Sequence, residues 1–158
     1  MDCESLTLRA DGMGRRAEEF VERATARARL PLDYSVGSLR VVDRVVDGLR
    51  RGGAGREEVA GTLLGLGAYV GEVLVREAGG AWVDLPDAHM LRSVFGYPVA
   101  VRMPDGRVWN PLGRTVNRFE IGTKESLYLY FLTLHGRRSA GPRRLLTPHP
   151  DRVSGKAC

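Results

Sequence analysis

The chain has 158 residues, 43% of them hydrophobic, and a formal net charge of +5, which is the size of a single domain with a real core, so that a second full domain is not expected. It has no run of about 18 or more apolar residues, and Asp2 and Glu4 break the basic-then-apolar order of a signal peptide, so neither a membrane span nor export is expected and a cytoplasmic location is. Cys3 and Cys158 stand at opposite ends with no short spacing to each other or to a histidine, which argues against a disulfide framework and a zinc site.

The first predicted element covers residues 13–29, rich in Arg, Glu and Ala with few large apolar side chains; it suits a surface helix that is marginal alone. Pro31 ends it. After an LPLDYS linker, Ser35 can cap a second helix in which Leu39, Val42, Val46 and Leu49 recur at spacings of three and four. Its other face carries Arg40, Asp43, Arg44, Asp47 and Arg51, most simply a solvated face with i,i+4 pairs. Gly52, Gly53 and Gly55 then make a turn.

The segment Glu57–Ala78 contains GLGAYVGE, from Gly65 to Glu72. A dinucleotide loop needs GxGxxG between a strand and a helix; here the spacing is GxGxxxG, the preceding residues look helical, and the Gly-Lys-Ser/Thr ending of a P-loop is missing. The octet therefore reads as a tightly packed helix. At 100° per residue, roughly, Gly61, Gly65, Ala68 and Glu72 share one stripe that should admit another backbone closely, while Gly67 and Gly71 fall together elsewhere. A helix apolar nearly all round belongs in the middle of a domain.

Beyond Gly80 the texture becomes short β-rich pieces, AWVDL, GYPVAVRM and RVW, with MPDGR as a hairpin turn; about three antiparallel strands are expected. Asn110-Pro111 is a helix start, with Leu112, Val116 and Phe119 on one face and Gly122 as the stop. Thr123 can cap a last helix carrying Leu127, Tyr130, Phe131 and Leu134. Six basic side chains and the single acid Asp151 follow residue 136. They account for the whole charge excess, in a segment with three prolines and no apolar periodicity that reads as a basic disordered tail.

The expected fold is α+β, with a central apolar helix, surrounding helices and a small antiparallel sheet of about three strands. Residues 1–35 are expected to form an N-terminal surface helix and linker, 36–136 the α+β domain and 137–158 the tail. The core should include Leu39, Val46, Leu63, Leu66, Val70, Leu74, Trp82, Val99, Phe119, Leu127 and Phe131.

Among polar residues Glu72 carries the most information, because a carboxylate on so apolar a helix needs a partner or a raised pKa. Arg76 at i,i+4 supplies a structural ion pair; the functional reading makes Glu72 a candidate catalytic acid or base, or a polar anchor in a pocket. Arg114 and Arg118, four apart with Asn117 beside them, can converge on an anionic ligand or on Glu72, with Glu120 neutralising part of their charge; surface or structural pairing is the alternative. Trp82 and Trp109 suit the core or its edge better than a stacking platform. His135 suits a helix C-terminus, and His89 and His149 fall in loops without metal-ligand spacing. There is no GxSxG, HExxH or paired-cysteine motif.

Taken together, Gly67, Gly71 and Glu72 in a GxxxGE helix, Trp82 on the next strand, Tyr97-Pro98, and a helix led by Pro111 and closing on Arg118 and Gly122 resemble bacterial domains of unknown function. The resemblance covers roughly residues 36–135. It implies a bacterial α+β domain and supplies no activity.

Two functions are therefore expected as alternatives. One is a small cytoplasmic binding or accessory protein that engages another protein or a second copy through Tyr128, Leu129 and Leu132, which lie off the core stripe of SLYLYFLTL. The other is an enzyme or small-ligand binder whose pocket gathers Glu72, Trp82, Asn110, Arg114 and Arg118 around a small anionic ligand. No cofactor, metal or membrane contact is expected, and nucleic acid at most weakly, through the tail.

Overall fold

The computed structural model describes residues 8–138, and for 135–138 the backbone alone. The expectations for Cys3, Cys158, His149, the side chain of His135 and nearly all of the basic tail lie outside the described residues. The protein is a mostly helical α+β fold: α1 (Met13–Ala28), α2 (Leu39–Arg51), α3 (Arg56–Ala78), β1 (Ala81–Asp84), α4 (Met90–Phe95), β2 (Val99–Arg102), β3 (Val108–Trp109), α5 (Pro111–Ile121) and α6 (Leu127–Arg138).

Helix α3 is the buried axis, packed against α1 and α5. Glu57 and Glu58 favour its positive N-terminal end, and Gly79, in the left-handed region at φ 72°, closes it. Its 23 residues are long and apolar enough to cross a bilayer, yet 67% of the most apolar window is inside the protein. The glycines explain that burial. A Cβ on Gly65 would lie 2.5 Å from the Phe20 ring of α1, one on Gly67 3.0 Å from the Leu112 Cα of α5, and one on Gly71 2.0 Å from the Trp82 indole of β1. Each glycine thus opens room for a different neighbour. The closest backbone approach is at Gly67, not on the stripe expected to provide it; at Gly65 the space goes to an aromatic ring, and Gly61 is exposed with nothing near it.

Helix α1 is more than a surface helix. Met13, Ala17 and Phe20 are buried, and the facing pairs Phe20 with Gly65 and Gly14 with Glu72 run it antiparallel to α3. Its few apolar residues suffice because they recur at spacings of three and four and all point one way.

The sheet has the order β1-β2-β3, antiparallel throughout, with Trp82, Val101 and Trp109 in one cross-strand row. The MPDGR turn is closed by the Met103 amide donating to the Arg107 carbonyl at 2.7 Å, with Gly106 at φ 84°. The short helix α4, absent from the sequence expectation, is capped by His89, whose Nδ1 accepts from the Leu91 amide at 3.1 Å. Asn110 caps α5 as expected, its Oδ1 accepting from the Gly113 amide at 2.9 Å, and Gly122 stops it at φ 109°. Thr123 does not cap α6: residues Thr123–Glu125 form a 3₁₀ turn, and the cap is built from Ser126 and from Asp43 of α2. Of the expected core, Trp82 and Phe119 are half-buried and the others are buried.

Candidate functional site

Glu72 is only 8% exposed. It lies where α3 meets β1 and α1: its Oε1 accepts from the Trp82 indole N–H at 3.0 Å, its Oε2 pairs with Arg76 at 3.3 Å, and the open side of Gly14 faces it. Arg76 then lies 3.6 Å over the Tyr34 ring, which stacks on Tyr69 at 4.8 Å. The Tyr69 hydroxyl accepts from the Tyr34 amide at 2.8 Å and bonds Ser38 at 2.6 Å. Burial raises the Tyr69 phenol above its ordinary pKa, partly offset by the Ser38 bond. This chain of contacts ties α1, the linker, α3 and β1 together. A carboxylate held this way is matched with two donors and closed off, as a buried charge must be.

Arg118 is 2% exposed and lies elsewhere, between α5 and α2. Its Nε donates to Asp43 at 2.9 Å and its Nη2 pairs with Asp47 at 2.8 Å. The Asp43 carboxylate also accepts from the Ser126 hydroxyl at 2.7 Å and from the amides of Leu127 and Tyr128 at 2.9 and 3.3 Å. One carboxylate therefore neutralises a buried guanidinium and caps α6 from a distant helix. The charged face of α2, expected to be solvated, sends its two acids inward.

Arg114 turns away from Arg118. It pairs with Glu125 at 2.5 Å and lies 4.5 Å over the Tyr130 ring. Glu120 does not temper either arginine; it pairs with Arg56 at 2.9 Å. Asn110 is occupied in capping, and its amide donates to the Phe95 carbonyl at 3.3 Å. The five residues expected to gather in one pocket thus have three separate settings: Glu72 with Trp82, Arg118 on α2, and Asn110 and Arg114 in local contacts along α5. Among the described residues no group of three His, Cys, Asp or Glu side chains is placed to hold a metal.

The three apolar residues expected to form an interface lie together on α6. Leu129 is 57% and Leu132 41% exposed, while Tyr128 is half-buried with Arg40 stacked 4.2 Å over its ring. Leu129 also borders a shallow depression lined by Arg114, Lys124, Ser126, Tyr130 and Thr133. The parts that sequence reasoning missed are Asp43, Asp47, Tyr34 and Tyr69, whose partners lie 31 to 85 positions away; no local pattern announces such pairs. The comparisons with protein-family models, curated proteins and solved structures give no match to the chain.

Proposed function

We propose that the chain is a small binding or accessory protein that engages another protein through the outer face of α6. The observation that carries this reading is the exposure of Leu129 and Leu132, with Tyr128 beside them, on a helix whose opposite face supplies Leu127, Phe131 and Leu134 to the core. Leaving two half-exposed leucines in water on one regular helix forgoes burial worth about 1 kcal/mol each, which a partner would recover. Met90 and Val94 are more exposed still, but they sit on the six-residue α4, a shorter platform than the twelve-residue α6. The alternative, an enzyme or ligand pocket on Glu72, Trp82, Arg114 and Arg118, has less support because each of those charges is matched within the chain.

Native mass spectrometry of the full-length protein purified from its source tests the reading, with a Leu129→Asp/Leu132→Asp variant alongside. The expected result is a second chain retained by the wild type and lost in the variant at an unchanged melting temperature. A bare monomer in both preparations overturns it.

A further inference from the structure

Resting on that reading, the charges around α6 narrow the partner's chemistry. Along α2 the sequence carries Arg40, Arg44, Arg50 and Arg51 against Asp43 and Asp47, an excess of two cations. The fold separates the signs. Asp43 and Asp47 are spent inward on Arg118 and on the α6 N-terminus, and Arg50 is spent on the Phe119 carbonyl at 2.8 Å. Arg40 and Arg44 are left at the surface without a carboxylate among the described residues, Arg40 lying over Tyr128 and Arg44 bonding only the Arg40 carbonyl. On the other flank Glu125 is taken by Arg114, and Lys124 beside it has no carboxylate partner among the described residues. The apolar strip of α6 therefore has Arg40 against Tyr128 on one side and Lys124 in the depression beside Leu129 on the other. The residues after α6 continue the same sign, with Arg143, Arg144, Arg152 and Lys156 against Asp151.

We propose that this face takes an acidic amphipathic segment of another protein, its apolar side chains on Leu129, Leu132 and Tyr128 and its carboxylates on Arg40, Arg44 and Lys124. Such a helix-in-groove or helix-on-helix mode uses apolar anchors for affinity and a complementary rim for orientation. A second copy fits less well, because a two-fold interface would place the same cations opposite one another. Nucleic acid fits less well too, because phosphates gain nothing from the two bare leucines at the centre.

The test is selection from a displayed random-peptide library on the full-length protein, with Leu129→Asp/Leu132→Asp as counter-selection, followed by anisotropy titrations of the winning peptides. Peptides specific to the wild type are expected to carry Asp or Glu on one face and Leu, Phe or Trp at helical spacing on the other. Their affinity should fall at least tenfold in an Arg40→Glu/Lys124→Glu variant that melts like the wild type, and should weaken with salt. If the selected peptides are neutral or basic, or ignore the charge reversal, the acidic chemistry is wrong while the α6 reading stands. If no peptide separates wild type from counter-selected variant, both fall. Dimers of the wild type that the leucine variant abolishes would assign the face to a second copy instead.

Discussion

Replacing Gly71 by alanine tests how the buried carboxylate is held. A Cβ at that position would lie 2.0 Å from Cζ2 and 2.3 Å from Cη2 of Trp82, whereas carbon atoms prefer about 3.5–4.0 Å. The indole must withdraw by roughly 1.5 Å, which takes its N–H out of reach of Glu72, now at 3.0 Å. Overpacking costs about 1–3 kcal/mol and the lost bond to a charged acceptor about 1.5–3 kcal/mol. Alanine returns about 1 kcal/mol of helix propensity. These terms leave a net loss of about 1.5–5 kcal/mol, and because the half-buried Trp82 can swing outward, about 2–3 kcal/mol, in the lower part of that range, is expected. Urea unfolding followed by far-ultraviolet circular dichroism measures it. In a Trp82→Leu background the same glycine change should be neutral or stabilising by up to about 1 kcal/mol, since the clash and the bond are both gone and the helix-propensity gain remains. An equal cost in the two backgrounds, or an alanine variant as stable as the wild type, would refute the reasoning.

Three further expectations rest on single contacts. At Gly65 even alanine should destabilise, because its Cβ meets the Phe20 ring at 2.5 Å; the loss, about 1–3 kcal/mol by denaturant titration, should shrink in a Phe20→Leu background. Arg118→Leu takes the cation from Asp43, which keeps its Ser126 and α6 amide donors, and from the part-exposed Asp47, and should cost about 2–4 kcal/mol, read as a lowered melting temperature that an added Asp47→Asn change partly restores; no loss would mean the buried pair contributes nothing. Tyr130→Phe removes a buried hydroxyl that, with Arg114 beside it, makes no well-formed hydrogen bond among the described residues and should be neutral or stabilising by up to about 1 kcal/mol. Burial also raises the Tyr130 pKa. The neutral phenol's contribution is therefore complete below its unfolded value, about 10, and is lost as pH rises toward the folded value; the phenylalanine variant should lose less stability in that alkaline window, and an identical loss would refute it.

Much of the fold was legible because its determinants are local. The 3.6-residue recurrence of Leu39, Val42 and Val46, the Asn110-Pro111 start, the Gly122 stop and the Asp105-Gly106 turn each act within a few residues of themselves, so propensity and pattern carry them. The same holds for Glu72 with Arg76, a pair set by helix geometry, and for the outward placement of Leu129 and Leu132. What the tertiary structure alone decided is which neighbour each element meets. Sequence spacing shows that Gly65, Gly67 and Gly71 face different ways, but only assembly assigns them Phe20, Leu112 and Trp82. Likewise Arg114 and Arg118 share a helix and separate in space, because Asp43 and Asp47, about 70 to 75 positions away, desolvate with one arginine and Glu125 takes the other. Burial makes an unmatched charge costly, so charges pair with whatever the packing brings near, and that proximity is a property of the whole chain rather than of any stretch of it.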